Sequence, residues 1–403
     1  MEPLNTWRDD TRLTHGGRDP ASHGGTVNTP VYRSSTFIWP SAETLPRYLR
    51  HADDPHLREH IYGRNGNPTT AAFEDAVAAL EGGFRSLVMP SGLAAIAGTL
   101  LALVRGGDHV LVTDNCYGHA RQVFDRVMQE MGVEVSYFPP LLGADIAALM
   151  RPNTRLVYAE APGSNTFEVQ DIPALARAAH AGGALLVMDN TWATPLFFKP
   201  FVHGVDVSIQ SATKYLVGHS DAMLGVITTT EALYSQVRDR VRLLGYIASA
   251  DDAYLGLRGL RTLGVRLRQH QRSALSVARW LARRPEVLKV LHPALPDCPG
   301  HAVFERDFLG ASGLFGVVLR PIPEAALHTF LDSLRLFAQG ASWGGFESLI
   351  RIAQGQRAFL AGLPPGHLLR LHVGLEAVDD LIADLDQAFA QARSRYPDAN
   401  TQP

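Results

Sequence analysis

Lysine is scarce in this chain of 403 residues: only Lys199, Lys214 and Lys289 occur among 37 lysine and arginine residues. Because arginine supplies most of the positive charge, a lysine that remains is a candidate for a role that needs an amine. A primary amine can form an imine with an aldehyde, whereas a guanidinium group stays protonated and cannot. Lys214 lies in Ser211-Ala212-Thr213-Lys214-Tyr215, which directly follows residues 205–210, whose apolar alternation predicts a strand. The alternative is that a lysine falls there by chance.

Other absences exclude several classes of protein. The two cysteines, Cys116 and Cys298, are far apart in sequence and do not indicate a disulfide framework, and we interpret Cys116 as a small buried residue rather than a nucleophile. Residues 1–15 lack the apolar core of a signal peptide, and no run of about 18 apolar residues is present. The net charge of −3 leaves no basic stripe for nucleic acid. We therefore expect a cytoplasmic protein that binds neither membranes nor nucleic acids.

The pattern of short apolar runs predicts an α/β fold. Between residues 65 and 262, β-rich segments alternate with helical ones, which is typical of a large doubly wound domain with a mainly parallel sheet. Residues 1–64 are irregular and polar, so we expect them to wrap around a partner surface. Residues 263–403 predict a smaller α+β domain, with helices at 269–283 and 378–393 and a strand at 314–319. The seven strands predicted for the large domain are 86–89, 109–113, 133–138, 155–159, 184–188, 205–210 and 224–228.

Two motif searches give competing interpretations. His56-Leu57-Arg58-Glu59-His60 matches the H-x-x-E-H zinc pattern. The stretch around it is charged throughout and follows Pro55, so it lacks the apolar face of a buried metal-binding helix, and we expect no metal. No glycine pattern of the dinucleotide or Walker type follows a predicted strand, which gives nucleotide binding no support.

Polar residues follow several predicted strands, at the sheet edge where open α/β sheets bind ligands. Ser91-Gly92-Leu93 joins a strand to an apolar helix, whose free amides and positive end suit a phosphate group. Asp189 could keep a pyridine nitrogen protonated, and Tyr117 could stack on an aromatic ring. Ser211 and Thr213 flank Lys214 and could take further phosphate oxygens. Each feature alone also fits an ordinary turn, cap or half-buried side chain, but together they suit pyridoxal 5'-phosphate (PLP).

Seven motifs together resemble the Cys/Met-metabolism family of fold type I PLP-dependent enzymes, and they cover nearly the whole chain. These motifs are Tyr62-Gly63-Arg64-Asn65-Gly66-Asn67-Pro68-Thr69, Ser91-Gly92-Leu93, Tyr117, Asp189-Asn190-Thr191, Ser211-Ala212-Thr213-Lys214-Tyr215, Ser342-Trp343-Gly344-Gly345-Phe346-Glu347-Ser348 and Arg370-Leu371-His372-Val373-Gly374-Leu375-Glu376.

The resemblance implies a role for each candidate residue. Lys214 would hold the cofactor and then act as a base, with or without Tyr117. Arg370 would bind the substrate α-carboxylate by a two-pronged pair. Tyr62 and Arg64 would reach the phosphate from a neighbouring subunit, which implies a homodimer with shared active sites and, by further pairing, a tetramer.

The motif at Ser342 and Trp343 separates branches of the family. Relatives that cleave at Cγ usually carry an acid before Ser-Leu-Gly-Gly, whereas here Ala341 precedes Ser342, and Trp343 replaces the leucine. The resemblance therefore implies β-elimination of cystathionine to homocysteine, pyruvate and ammonia. A γ-lyase, a γ-synthase, a broader cysteine-S-conjugate β-lyase and a non-catalytic regulator remain alternatives. Whether Ser164, Asn165 or neither touches the cofactor also stays open.

Overall fold

A computed structural model describes residues 7–353, 357–358 and 363–396. The larger part of the chain is built on a seven-stranded sheet, and each of the seven strands predicted from the sequence is present within one or two residues of its expected bounds. Its strands are β1 (Arg85–Met89), β2 (His109–Thr113), β3 (Glu134–Phe138), β4 (Thr154–Glu160), β5 (Leu185–Asp189), β6 (Val207–Gln210) and β7 (Gly225–Thr229).

The strand order across this sheet is β1-β7-β6-β5-β4-β2-β3. The pairs from β6 to β3 are all parallel, whereas β7 runs antiparallel to both β6 and β1. The order reverses direction along the chain, as in doubly wound folds, so the loops after β4, β5 and β6 meet at one edge. These loops carry the polar residues singled out in the sequence.

Helices cover both faces of the sheet, and their boundaries follow local capping chemistry. The side chain of Asn67 accepts hydrogen bonds from the amides of Thr69 and Thr70 at the start of α3, and Gly82 ends that helix in a left-handed conformation. The helices that lie within this part of the chain are α1 (Asp9–His15), α2 (Leu45–Asp53), α3 (Pro68–Glu81), α4 (Gly92–Leu103), α5 (Gly118–Gln122), α6 (Ile172–Ala181), α7 (Thr194–Phe197), α8 (Glu231–Leu243) and α9 (Ala250–Leu260).

A second, smaller sheet of five strands lies in the C-terminal part, in the order β10-β11-β12-β9-β8. The predicted strand at residues 314–319 is confirmed as β9, and the two predicted helices correspond to α10 and α13, although α10 begins earlier than expected. The elements are α10 (Leu263–Leu281), β8 (Val287–Leu291), α11 (His301–Asp307), β9 (Leu314–Leu319), α12 (Glu324–Ser333), β10 (Ala338–Gln339), β11 (Leu349–Ile352), β12 (His367–His372) and α13 (Val378–Arg395). The division at residues 64 and 262 stays a prediction.

The N-terminal segment is less irregular than its composition suggested. Helix α1 buries Leu13 in the main core, and Lys199 forms an ion pair with Asp9 at 2.9 Å. The expectation of an irregular segment throughout was therefore wrong for these residues, because a buried leucine, two ion pairs and hydrogen bonds from Arg261 to the Leu13 and Gly16 carbonyls dock this short helix. Most of residues 17–44 have no regular secondary structure.

The proposed zinc motif does not form a helix. Helix α2 ends at Asp53, before the motif begins, and the two histidines make separate contacts. His56 lies 3.3 Å from a carboxylate oxygen of Glu231, while the His60 ring stacks on Phe37 with 5.7 Å between ring centroids. Within the described ranges, no helix is long and apolar enough to cross a membrane. Cys116 and Cys298 are buried free thiols, which confirms the interpretation of Cys116 as a buried residue.

Candidate active site

Lys214 lies in the turn after β6, where the two sheet-containing parts of the chain meet. Its Nζ donates a hydrogen bond to Ser342 Oγ at 2.6 Å and lies 5.2 Å from the centroid of the Trp343 ring. Gly344 follows in a left-handed conformation (φ 89°), and a Cβ there would come within 2.9 Å of the Lys214 backbone. The Ser342–Gly344 loop therefore packs directly on the lysine and fixes its position.

The surroundings of Lys214 favour a neutral amine. Its pKa is lowered from the ordinary value to about 8, mainly by burial and also by the positive charge of Arg370, while the negative charge of Asp189 partly opposes both effects. Free lysine has a pKa of about 10.4 and is almost fully protonated at neutral pH. Lys214 is therefore suited to nucleophilic and proton-transfer chemistry.

We expect chemical labelling of Lys214 to follow its lowered pKa. In cofactor-free protein, modification by trinitrobenzenesulfonate, followed by peptide mass spectrometry, should rise with pH through a midpoint of about 8, because only the neutral amine reacts. Arg370→Gln should move the midpoint upward, since it removes a nearby positive charge. A midpoint close to 10.4 in the wild-type protein would contradict this description of the site.

The start of α4 lies beside the residues that flank Lys214. Ser91 caps this helix, accepting a hydrogen bond from the Ala94 amide at 3.1 Å. A Cβ on Gly92 would come within 2.6 Å of the Ser211 side chain. Only glycine therefore allows the Ser91–Leu93 turn to pack this closely on Ser211, which is near Lys214 in the sequence. The hydroxyl of Thr213 is already bonded to the backbone of Leu224, accepting from its amide at 2.8 Å and donating to its carbonyl at 3.1 Å. Leu93 is partly exposed beside this turn.

Asp189 ends β5 and is only 8% exposed. Its carboxylate accepts from the Thr191 amide at 2.9 Å, and burial raises its pKa. Glu160 occupies the paired position at the end of β4, where burial and the charge of Asp189 raise its pKa well above the ordinary value. The backbone amide of Tyr117 donates to Glu160 at 2.6 Å, which fixes the Tyr117 backbone at this end of the sheet, and the residue is 43% exposed.

Arg370 reaches the same site from β12 of the smaller sheet. One of its terminal nitrogens donates to the carbonyls of residues 340–342 at 2.9 to 3.4 Å, which orients the guanidinium group. Burial and the neighbouring Arg351 lower the pKa of Arg370 to about 10, and Tyr117 opposes this. The group therefore remains a cation at neutral pH, with further N–H donors for a carboxylate.

Tyr62 and Arg64 lie apart from this cluster within the chain. Arg64 donates to the carbonyl of Arg242 near the end of α8 at 3.0 Å and lies over the Tyr62 ring, with 5.5 Å to the ring centroid. Tyr62 is 46% exposed. Ser164 donates its hydroxyl proton to Glu160 at 2.7 Å, so its contact supports the acid pair at the sheet edge.

The cluster fits PLP on features of the protein alone. Gly92 lets the start of α4 approach Ser211 closely, Asp189 supplies a buried acid, Tyr117 is 43% exposed, and Lys214 supplies an amine of lowered pKa. Residues 10–390 match the family described as Cys/Met metabolism PLP-dependent enzyme. The chain belongs to this family.

Known proteins of this family resemble the chain over almost its whole length. It is 47% identical to a putative cystathionine β-lyase of Rhizobium johnstonii, with 95% of this chain and 96% of the relative covered. It is 44% identical to the cystathionine β-lyase MetC of Escherichia coli, with 95% and 98% covered. The crystal structure of metB from Corynebacterium glutamicum superposes with a TM-score of 0.87 and 33% identity, over 96% of this chain and 99% of that one. The prediction of the family, the fold and the cofactor is confirmed.

Two charged residues of the site were missed by sequence reasoning. Glu160 could have been found, because it directly follows the predicted strand 155–159, just as Asp189 directly follows the predicted strand 184–188. Arg351 could not, because it reaches the site only through the antiparallel pairing of β11 with β12. Strand register in a sheet of distant segments is not visible in a single sequence.

Proposed function

We propose that this enzyme catalyses the PLP-dependent β-elimination of L-cystathionine to homocysteine, pyruvate and ammonia. The proposal depends mainly on one observation, which is that the pKa of the Lys214 amine is lowered. Asp189 of the large sheet and Arg370 of the small sheet are both close enough to change that pKa. The full-length similarity to cystathionine β-lyases supports the same reaction and substrate.

Each side chain has a task that follows from its environment. PLP, when bound, supplies an electron sink for the electron pair left on the substrate Cα. Arg370 holds the α-carboxylate, which orients the Cα–H bond toward Lys214. The neutral Nζ of Lys214 takes the Cα proton and then carries it as an ammonium group toward the leaving sulfur. Ser342 accepts a hydrogen bond from that nitrogen and keeps it in place.

Tyr117 is better suited to stacking than to proton abstraction. Burial and the charge of Glu160 raise the pKa of its phenol, so the hydroxyl stays neutral at neutral pH. A neutral phenol offers its ring face and one donor, but it is a weak base. We propose that Lys214 alone takes the Cα proton, that Asp189 faces the pyridine nitrogen, and that Ser91, Gly92, Leu93, Ser211 and Thr213 surround the phosphate.

The identity of the keto acid tests the reaction. With cystathionine as substrate, we expect pyruvate and homocysteine as the main products, measured by lactate dehydrogenase coupling and mass spectrometry. The centroid of the Trp343 ring lies 5.2 Å from the Lys214 amine, and Ala341 supplies no acid for chemistry at Cγ. Formation mainly of 2-oxobutyrate and cysteine would replace this proposal with γ-elimination.

We further propose a homodimer with shared active sites that pairs into a tetramer, located in the cytoplasm. The dimer is supported by the exposed position of Tyr62 and by the contacts of Arg64, which are with Arg242 and Tyr62. The cytoplasm is supported by the two free thiols, because reducing compartments preserve unpaired cysteines.

A further inference from the structure

Two arginines lie side by side at the edge of the candidate active site. In the antiparallel pair of β11 and β12, Arg351 is directly opposite Arg370. Directly opposed residues project from the same face of a sheet, with their Cβ atoms about 4.5 to 5.5 Å apart. Arg351 therefore extends on the same side as the arginine that faces Lys214.

The charge of Arg351 is not balanced within the described ranges of the chain. Its one hydrogen bond there is from Nε to the carbonyl of Ile352 at 3.3 Å, and no described carboxylate forms an ion pair with it. By contrast, the nearby Arg357 binds both Asp114 and Glu168, at 3.0 and 2.9 Å. Opposed like charges destabilise a strand pair. Within the described ranges, Arg351 therefore keeps N–H donors and a positive charge that an anionic ligand could bind.

We propose that Arg351 binds the distal carboxylate of the substrate and so selects amino-acid thioethers with a second acidic end. This inference rests on the proposed function and assigns one residue to the far end of the substrate. Arg370 holds the near end, where the α-carboxylate lies beside the reacting bonds.

Arg351 and Arg370 differ in burial, as expected if one binds the far end of the substrate and the other binds the reacting end. Arg370 is 9% exposed and its guanidinium group is fixed by the carbonyls of residues 340–342, whereas Arg351 is only partly buried. The reacting end of a substrate lies deepest, and its far end lies toward solvent. The charges of both arginines also lower the pKa of the Tyr117 phenol, which is raised overall by burial, so both charges lie near that residue.

Two inert amino acids of equal chain length test the inference. L-2-aminosuberate carries a distal carboxylate at the same number of chain atoms from Cα as cystathionine, L-2-aminooctanoate carries a methyl group at that place, and neither has a leaving group. In the wild-type holoenzyme, 2-aminosuberate should bind about 10- to 100-fold more tightly than 2-aminooctanoate, as expected for a charge-assisted hydrogen-bonded pair. Binding would be measured by the change in cofactor absorbance and by isothermal titration calorimetry. Arg351→Ala and Arg351→Gln should remove this preference, and Arg351→Lys should keep part of it.

Arg268 provides the matched control. It is an exposed residue of α10 that pairs with Asp10 at 3.1 Å, and Arg268→Ala also removes one arginine. That variant should keep the wild-type preference. Loss of affinity for both ligands in Arg351→Gln would show that Arg351 acts on the shared α-carboxylate, and unchanged preference would show that it binds neither end. Either result overturns the inference.

Turnover separates this inference from the proposed reaction. With cystathionine, Arg351→Gln should lower kcat/KM about 10- to 100-fold, while kcat/KM for S-propyl-L-cysteine should change less than about twofold. Equal loss for both substrates would overturn the role of Arg351. If the wild-type enzyme forms no pyruvate from either substrate, the proposed reaction fails, but the comparison of the two inert ligands still tests Arg351.

Discussion

Replacing Lys214 by alanine should remove both the covalent attachment of PLP and most of the activity. The amine is proposed as the attachment point and also as the Cα base, and loss of a positioned base alone lowers turnover about 10²- to 10⁴-fold. The visible absorbance band of the lysine-bound cofactor should disappear. After borohydride reduction of the wild-type enzyme, peptide mapping should find the pyridoxyl group on Lys214.

The other two lysines are the matched controls. Lys199 forms an ion pair with Asp9 and donates to the Leu80 carbonyl at 2.9 Å, and Lys289 lies on β8 in the smaller sheet. Lys199→Ala and Lys289→Ala should keep the absorbance band and the activity. An intact band in Lys214→Ala would show that the attachment point lies elsewhere.

Metal analysis of the same preparations tests the zinc motif. Stoichiometric zinc that is lost on mutation of His56 or His60 would support zinc binding by this motif.

Mixing two inactive variants should restore activity if active sites are shared across a twofold axis. Lys214→Ala and Arg64→Ala homodimers should each be nearly inactive. In a mixed dimer, one site receives both defects and the other receives none. Equal amounts refolded together should place half the dimers in the mixed form, so about a quarter of all sites should recover.

The mixed preparation must be shown to contain hybrid dimers, for example by native mass spectrometry with one variant labelled. Wild-type protein refolded in the same way supplies the reference activity. If hybrids form without recovery, then Arg64 acts in the site of its own chain or in none. That outcome would also remove the support for the proposed contribution of Tyr62 from a partner subunit.

The large sheet could be predicted well because its strands carry strong local signals. Buried parallel strands are short apolar runs bounded by turn residues, and β2 and β5 have this pattern without interruption. The smaller sheet was predicted only in part. Strand β10 consists of two exposed residues without an apolar pattern. It is a strand only because it pairs with β11.

In the candidate site, too, residues that follow predictable strands could be found from the sequence, whereas contacts between distant segments could not. Lys214, Asp189 and Ser91 each follow a predictable strand, so their common edge could be expected from the fold. The contact of Ser342 with Lys214 joins residues 128 positions apart. The pairing of Arg351 with Arg370 likewise depends on how two strands align, and no local pattern specifies that alignment.

The place of β7 in the sheet determines when β1 and the turn after it can first make their sheet contacts during synthesis. Within the described residues, β1 has β7 as its single sheet neighbour, and Ser86 meets Thr228 across 142 positions of sequence. Gly225 at the start of β7 packs so closely on the Ser91 carbonyl that a side chain there would collide with it. These contacts of β1 and of the turn at Ser91 can form only after β7 has been synthesised. The edge of the sheet that carries the candidate site is therefore complete only when more than half of the chain exists.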